Sequence, residues 1–130
     1  MRLLERLDHE LQQRSQLSLT DFEILSVLAS APDQRLRMSD LAERVLVSRS
    51  RLTYRVDRLV RVNYLAREEC EDDRRGLFAI LTETGTEALS AATPGHANDV
   101  RTWFFDVINP DELEVIGRVM ARADEKLSSS

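Results

Sequence analysis

The sequence contains only one cysteine, Cys70, and this scarcity excludes two kinds of stabilising link. A single thiol cannot form an internal disulfide, so nothing indicates secretion into an oxidising compartment. It also cannot supply a structural zinc site built from thiolates. Apolar residues make up 42% of the chain and charged residues 32%, as in globular proteins, so we expect an ordinary hydrophobic core.

Long apolar segments are absent as well. No stretch approaches the roughly 18 consecutive apolar residues that a membrane helix requires. The first residues, 1–6, include several charges and lack the apolar segment and cleavage site of a signal peptide. Both absences predict a cytoplasmic protein with no membrane partner. The length of 130 residues fits a single domain, 1–130.

Signatures of catalysis and of metal binding are missing too. The chain has only four glycines, and it contains no glycine-rich phosphate loop and no nucleophile elbow. The two histidines, His9 and His96, are far apart in the sequence and give weak support to a metal site. The sequence therefore predicts neither an enzyme nor a protein that depends on a metal or another cofactor.

Lysine is nearly absent, since Lys126 is the only one, and the basic charge is carried by arginine. The net charge of −5 argues against nucleic-acid binding when taken alone. Residues 35–62, however, hold eight arginines and three acids, a local charge of +5. A basic face on an acidic body is typical of DNA-binding proteins, and the planar guanidinium suits phosphates and guanine edges. The alternative is an ordinary solvated helix face.

Apolar residues recur at helical spacing in four segments of the first half of the chain. The second segment follows Thr20 and Glu23, which have the spacing of a capping box, and Pro32 should end it one residue earlier. Ser39 and Ser48 are the predicted N-caps of a third and a fourth helix. These two short helices meet across a tight turn, which predicts a helix-turn-helix.

The pattern changes after Asn63, which can close the fourth helix in the left-handed conformation. Residues 64–69 and 77–81 are predicted to pair as the strands of a β-hairpin, called the wing below. Thr82 is the predicted cap of a long helix, which Pro94 should kink or break so that a new helix starts beside it. The predicted order is four helices, a hairpin and two further helical regions.

A final helix begins at Asn109 and Pro110 and carries a narrow apolar stripe. The members of the stripe are Leu113, Ile116, Met120, Ala123 and Leu127. The sequence thus predicts a mainly α fold with a small β-hairpin, namely a winged helix-turn-helix core at 20–81 with terminal dimerisation helices at 1–17 and 83–127. Such a stripe needs a partner, so we expect a two-fold homodimer.

The fourth helix, 48–62, has a predicted reading face opposite its inward residues Leu52, Val56 and Leu59. This face is centred on Ser50, Tyr54, Asp57 and Arg61, flanked by Arg51, Thr53 and Arg58. In helix-turn-helix docking the N-terminal half of this helix contacts base edges, and later arginines lie closer to phosphates. The predicted DNA-contacting residues are Ser48, Arg49, Ser50, Arg51, Thr53, Tyr54, Arg58 and Arg61. Arg55 lies nearer the core edge and is predicted to be structural.

The wing is acidic, with three arginines and five acids over residues 67–76. Its predicted DNA contacts lie at the tip, in Asp73, Arg74 and Arg75. A narrow minor groove attracts an arginine through its enhanced negative potential, and Asp73 can hold the Arg75 guanidinium in position. The alternative is a solvated hairpin tip with weak local ion pairs.

Four segments resemble the MarR family of bacterial regulators, and the similarity covers nearly the whole chain. The matching residues are 36–42, 47–53, 73–76, and Leu81 and Thr82 with Gly85. The resemblance implies a homodimer with intertwined terminal helices, a recognition helix at 48–62 and insertion of Arg75 into the minor groove. It also implies a pseudo-palindromic operator in double-stranded DNA, usually repression of a nearby promoter, and release by a small-molecule effector or an oxidant. Asn63 stands where the family usually has glycine.

Three alternatives remain open from the sequence. Cys70 would be a redox sensor if exposed near arginines, but acidic neighbours disfavour its thiolate, and the peroxide-sensing members of the family carry their cysteine in the first helix. The aromatic residues 103–105 are either part of the core or the wall of an effector pocket. The whole chain is either a DNA-binding regulator or a winged-helix protein-interaction or dimerisation module. The five arginines and single acid of the fourth helix favour DNA.

Overall fold

The computed structural model describes residues 2–45, 47–70 and 76–130. They form two compact units, one extending to His96 and the other from Ala97 to Ser130. None of the helices found in these ranges is long and apolar enough to span a bilayer. The elements are, in chain order, α1 Arg2–Ser15, α2 Leu19–Ser30, β1 Arg35–Arg37, α3 Met38–Val45, α4 Arg49–Arg61, β2 Leu65–Glu69, β3 Leu77–Leu81, α5 Glu83–Trp103 and α6 Pro110–Ser128, with short 3₁₀ turns at Pro32–Gln34 and Phe105–Val107.

The core of the first unit is made by side chains from α1 to α4, from the sheet and, through Ala92, from α5. Its fully buried members include Leu11, Ile24, Leu25, Leu28, Leu41, Leu52, Val56, Leu59 and Leu65. Removing a Leu or Val side chain from water stabilises the fold by about 1.5–3 kcal/mol. Helix α4 contributes one narrow stripe to this core, which confirms the predicted inward face and leaves the opposite face outside.

The start of α2 differs from the prediction. Ser18, not Thr20, is the N-cap: its Oγ accepts the backbone N–H of Asp21 at 2.9 Å, and Asp21 Oδ2 accepts the backbone N–H of Ser18 at 2.9 Å. The prediction of Thr20 with Glu23 was wrong because both pairs have the spacing of a capping box. Burial selects the earlier pair, since Leu17, just before the cap, joins the core.

The start of α3 also differs from the prediction. The helix begins at Met38, so Ser39 lies in its first turn and is not its N-cap. The residues before Met38 are extended because they form β1, and the chain passes directly from strand to helix. By contrast, Ser48 caps α4 as predicted, with its Oγ accepting the backbone N–H of Arg51 at 3.3 Å.

The predicted hairpin of β2 and β3 is confirmed, and it is part of a three-stranded antiparallel sheet in the order β1-β3-β2. In the register of this sheet, Phe78 of the central strand β3 pairs with Arg37 of β1 on one side and with Glu68 of β2 on the other. Asn63 has a φ of 65°, the left-handed conformation predicted for the residue that closes α4. The extra strand, β1, attaches the start of α3 to the wing.

Helix α5 continues through Pro94, so of the two predicted outcomes, a kink or a break, the break with a new helix starting beside Pro94 was wrong. It starts as predicted, because Thr82 Oγ1 accepts the backbone N–H of Gly85 at 2.9 Å. Instead of capping a new helix, Thr93 donates its hydroxyl to the carbonyl of Leu89 at 2.7 Å. Proline removes one backbone donor, and the hydrogen bonds on either side maintain the helix across that position.

Cys70 is buried, at 4% exposure, so the condition on which a redox role depended, an exposed thiol, is not met. It follows the last residue of β2, and its backbone N–H donates to the carbonyl of Gly76 at 3.0 Å. A thiol in this position is shielded from oxidants in solution. The interpretation of Cys70 as a redox sensor therefore loses its premise.

His96 packs on Phe22, with the ring centroids 4.5 Å apart. The Arg14 guanidinium lies against the neighbouring Gly95. Burial first, and then the charge of Arg14, lower the pKa of His96 below its ordinary value. No group of three metal-ligating side chains occurs within the described ranges.

This lowered pKa predicts a pH dependence of stability. As the pH falls through about 6.5, the unfolded chain takes up a proton at His96 that the folded chain resists, so stability is lost toward acid. We expect the Tm of the wild type to fall more than that of His96→Gln between about pH 8 and about pH 5. Parallel Tm curves for the two proteins over this range would refute the assignment.

In the second unit, every residue of α6 is exposed in the single chain. The predicted stripe is present, with Ile116 39% and Met120 63% exposed. The aromatic cluster at the end of α5 is also open: Phe104 and Phe105 meet edge to face at 5.2 Å, and Trp103 and Phe105 are each 44% exposed. These aromatic side chains are therefore half exposed in the single chain, where the sequence left core or pocket wall as alternatives.

Candidate nucleic-acid interface

Helix α4 presents all of its predicted DNA-contacting residues on the surface. The exposed set is Ser48, Arg49, Ser50, Arg51, Thr53, Tyr54, Arg58 and Arg61. Three side chains on the opposite side anchor the helix in the core: Leu52, Val56 and Leu59 are at most 2% exposed. Tyr54, at the centre of the reading face, is 65% exposed and has no place in the core of the unit.

The hydroxyl groups of this face have defined hydrogen-bonding roles. Thr53 Oγ1 donates to the backbone carbonyl of Arg49 at 2.9 Å, so its oxygen is left to accept and its methyl group to make apolar contact. Ser48 Oγ and Ser50 Oγ lie 3.3 Å apart and share one hydrogen bond. Acceptor oxygens and a methyl group next to arginines suit the mixed donors and methyls of the major groove.

One flank of α4 contacts the start of α2. Arg55 Nη1 lies 3.8 Å and Arg58 Nη1 3.9 Å from Asp21 Oδ2. Arg55 is largely covered, as predicted from its position nearer the core edge. Arg58 is about half exposed and also donates to the backbone carbonyl of Gln16 at 3.5 Å.

The other flank contacts the wing. Asp57, the single acid of α4, forms an ion pair with Arg67 of β2. Without that partner, a carboxylate on the reading face would repel phosphates. The sequence did not single out Arg67, although its position on β2, two residues from buried Leu65, placed an arginine on the core side of the strand, where it needs a partner.

A groove of about 440 Å³ opens beside α4 on this wing side. Its polar lining comes from Arg37, Ser39, Arg49, Thr53 and Arg67. Arg37 and Arg67 were not among the predicted site residues. Arg37 adds positive charge next to α4, and the charge of Arg67 offsets that of Asp57. The groove joins the end of β1, the start of α3 and the base of the wing into one surface with α4.

The wing tip lies outside the described residues, so the predictions for Asp73, Arg74 and Arg75 stay predictions. The strands that lead to it are described. Arg35 of β1 contributes to their outer face, with its guanidinium 4.1 Å from the centre of the Phe78 ring and 3.5 Å from a carboxylate oxygen of Glu68. These contacts join the three strands at the base of the wing.

Comparisons with known proteins agree with this architecture. A sequence model of the MarR family matches residues 15–76. The MarR family regulator Sco3205 of Streptomyces coelicolor, solved in complex with DNA, is 38% identical, with a TM-score of 0.91 over 97% of this chain and 79% of that one. AbsC of the same organism is 37% identical, with a TM-score of 0.89 over 99% of this chain and 86% of that one.

Curated relatives lead to the same family. The HTH-type transcriptional regulator MhqR of Bacillus subtilis is 30% identical over 82% of this chain and 71% of its own length. YkoM of the same species is 31% identical over 80% of this chain, which spans 66% of YkoM. Since the helix-turn-helix, the wing strands and these relatives agree, the chain belongs to the MarR family of DNA-binding transcriptional regulators.

Proposed function

We propose that the chain recognises a specific sequence in double-stranded DNA by inserting the reading face of α4 into the major groove. The observation that carries this proposal is the exposure of the whole predicted set on α4 above three buried anchors. The charge of this surface supports it. The helix holds five arginines, and its one acid, Asp57, is paired with Arg67.

The contacts divide along the helix in this proposal. Arg49, Ser50, Arg51, Thr53 and Tyr54, near its N-terminus, meet base edges. Ser48, at the N-cap, lies beside the DNA backbone, and Arg58 and Arg61 lie toward phosphates. Arg37 of the neighbouring groove adds one further phosphate contact, while Arg67 neutralises Asp57. At the wing tip, Arg74 touches the flanking DNA and Arg75 enters the minor groove, with Asp73 holding its guanidinium.

We further propose that the chain acts as a homodimer joined through its terminal helices, including α6. The exposed stripe on α6 supports this, because an apolar helix face of this length is seldom left in water. A two-fold dimer would place two α4 helices on half-sites about 10 base pairs apart, which makes the operator a pseudo-palindrome. Bound across a promoter in the cytoplasm, it would repress transcription until a small-molecule effector releases it.

Replacing Ile116 by aspartate is expected to separate the dimer. In a two-fold interface each protomer contributes one copy of the new carboxylate, and each carboxylate would be buried without a cation. The cost is on the order of 3 kcal/mol for each copy. Sedimentation velocity should then show a monomer at concentrations where the wild type is dimeric. Arg118→Glu, on the opposite side of α6, is the matched control and should remain dimeric. A dimeric Ile116→Asp protein would contradict the interface.

Selection of duplexes from a random pool tests the proposed function. We expect enrichment of a pseudo-palindrome whose half-sites are one helical turn apart. Arg51→Ala combined with Tyr54→Ala should abolish the enrichment while the protein stays folded. A wild-type dimer that enriches no duplex at low salt would instead favour the protein-interaction module.

A further inference from the structure

The carboxylate of Asp21 is buried in an unusual electrostatic environment at the start of α2. The residue is 1% exposed, and its Oδ2 is the atom that faces both Arg55 and Arg58. Oδ2 also accepts the Ser18 backbone N–H that completes the capping box. Oδ1 is buried without a hydrogen-bond partner among the described residues. A charge in this position needs nearby cations to offset its lost hydration.

Capping alone does not explain a charged group here. A neutral Asn side chain can also accept the Ser18 N–H through one oxygen. The two cations that face the Asp21 carboxylate come from a different helix, α4, and approach from one side. The carboxylate therefore contacts the recognition helix in addition to capping its own helix.

The contacts with Asp21 and with Arg67 lie on two different sides of α4. Successive residues of a helix are turned by about 100°, so Arg55 and Arg58, three apart, share one flank. Asp57, paired with Arg67 of the wing, lies toward the other flank. Ser50, Tyr54 and Arg61 lie between the two flanks on the helix circumference. Contacts on both sides of the reading face fix the rotation of α4 about its axis.

We propose that Asp21 is a positioning residue for DNA recognition: its buried carboxylate holds Arg55 and Arg58 and so sets the rotation at which α4 meets the bases. The inference rests on the proposed function. Asp21 touches no base or phosphate in this account, and it acts through the two arginines.

Replacing Asp21 by asparagine separates positioning from simple electrostatics. The variant keeps an acceptor for the Ser18 N–H and loses the charge. If charge alone mattered, removing an anion beside two arginines would tighten binding to every duplex. Positioning predicts the opposite for the selected sequence, namely a loss of about tenfold, similar to the effect of one mismatched base pair. Binding to an unrelated duplex should be unchanged or tighter.

Ser18→Ala is the matched control, because it removes the other half of the same capping box and leaves the carboxylate and both arginines in place. It should lower the Tm, as Asp21→Asn does, and keep the wild-type ratio of specific to non-specific affinity. Asp21→Glu restores the charge and should recover part of that ratio. If Asp21→Asn does not fold, Arg55→Gln breaks the same contact from α4, and the same fall in the ratio is expected.

A wild-type ratio in folded Asp21→Asn would overturn the proposal, as would equal losses on both duplexes. Hydrogen exchange of α4 amides supplies a readout that does not depend on DNA. Exchange in α4 should rise more in Asp21→Asn than in Ser18→Ala when the two variants are compared at equal global stability. If the wild type binds no duplex, the proposed function fails, and unchanged exchange in Asp21→Asn would separately refute the link between Asp21 and α4.

Discussion

Replacing Gly85 by alanine is expected to destabilise the protein by roughly 3 kcal/mol, at the upper end of the range for an added methyl group in a packed site. A Cβ built at Gly85 would lie 2.1 Å from the backbone carbonyl oxygen of Tyr64 and 2.8 Å from Leu81 Cδ1. The Tyr64 carbonyl cannot move freely, because it accepts the backbone N–H of Thr82 at 3.1 Å. Denaturant unfolding followed by circular dichroism measures the loss.

Gly117→Ala is the control for this substitution. Gly117 lies within α6, and a Cβ there meets no atom of the single chain within 4 Å. Alanine in a helix interior is favoured over glycine by about 1 kcal/mol, so this variant should be at least as stable as the wild type. A Gly85→Ala protein as stable as Gly117→Ala would show that α5 does not start against the carbonyl of Tyr64.

Replacing Arg51 by alanine is expected to have the largest effect on sequence recognition. A bidentate arginine contact to guanine contributes about 1–3 kcal/mol of discrimination against the wrong base. The variant should therefore lose preference at one base pair of each half-site and keep it elsewhere. Competition binding with every single-base variant of the selected duplex measures this pattern.

Arg61→Ala is the comparison for Arg51→Ala, because Arg61 is placed toward a phosphate. Its loss should weaken binding to all sequences alike and reduce the dependence of affinity on salt by about one phosphate contact. If the two variants lose affinity in the same uniform way, the proposed division of α4 into base-contacting and phosphate-contacting residues is wrong.

Patterns within one element gave reliable predictions in this chain. The repeat of Leu52, Val56 and Leu59 predicted both the buried stripe of α4 and the surface opposite it, because a helix has a fixed period. Ser48 and Asn63 were identified as the two ends of that helix from their side-chain chemistry. The strands of the wing followed in the same way from residues 64–69 and 77–81.

Predictions failed where distant residues decide local structure. Two pairs with the spacing of a capping box overlap at the start of α2, and the structure uses Ser18, which follows buried Leu17. The strand β1 has three residues, too few for a period, and exists because β3 offers a free edge. The exposure of Cys70 was left open by its charged neighbours in the sequence, and only the fold shows that it is buried.

The same limit applies to the candidate site. A helical wheel gives the direction of each side chain of α4, and it correctly set Arg55 apart from the reading face. The wheel cannot show that Arg58 faces Asp21 or that Asp57 faces Arg67. Both partners belong to elements that are distant along the chain. The contacts that orient the recognition helix therefore became visible only with the fold.

The most direct test of the central claim, that α4 and its arginines bind DNA, is a salt titration of wild-type affinity for the selected duplex. Each neutralised phosphate adds about 0.9 to the slope of log affinity against log salt, and a dimer with several contacts should lose about a thousandfold between roughly 50 and 200 mM. An affinity that does not change with salt, or no binding to any duplex at low salt, would contradict the account.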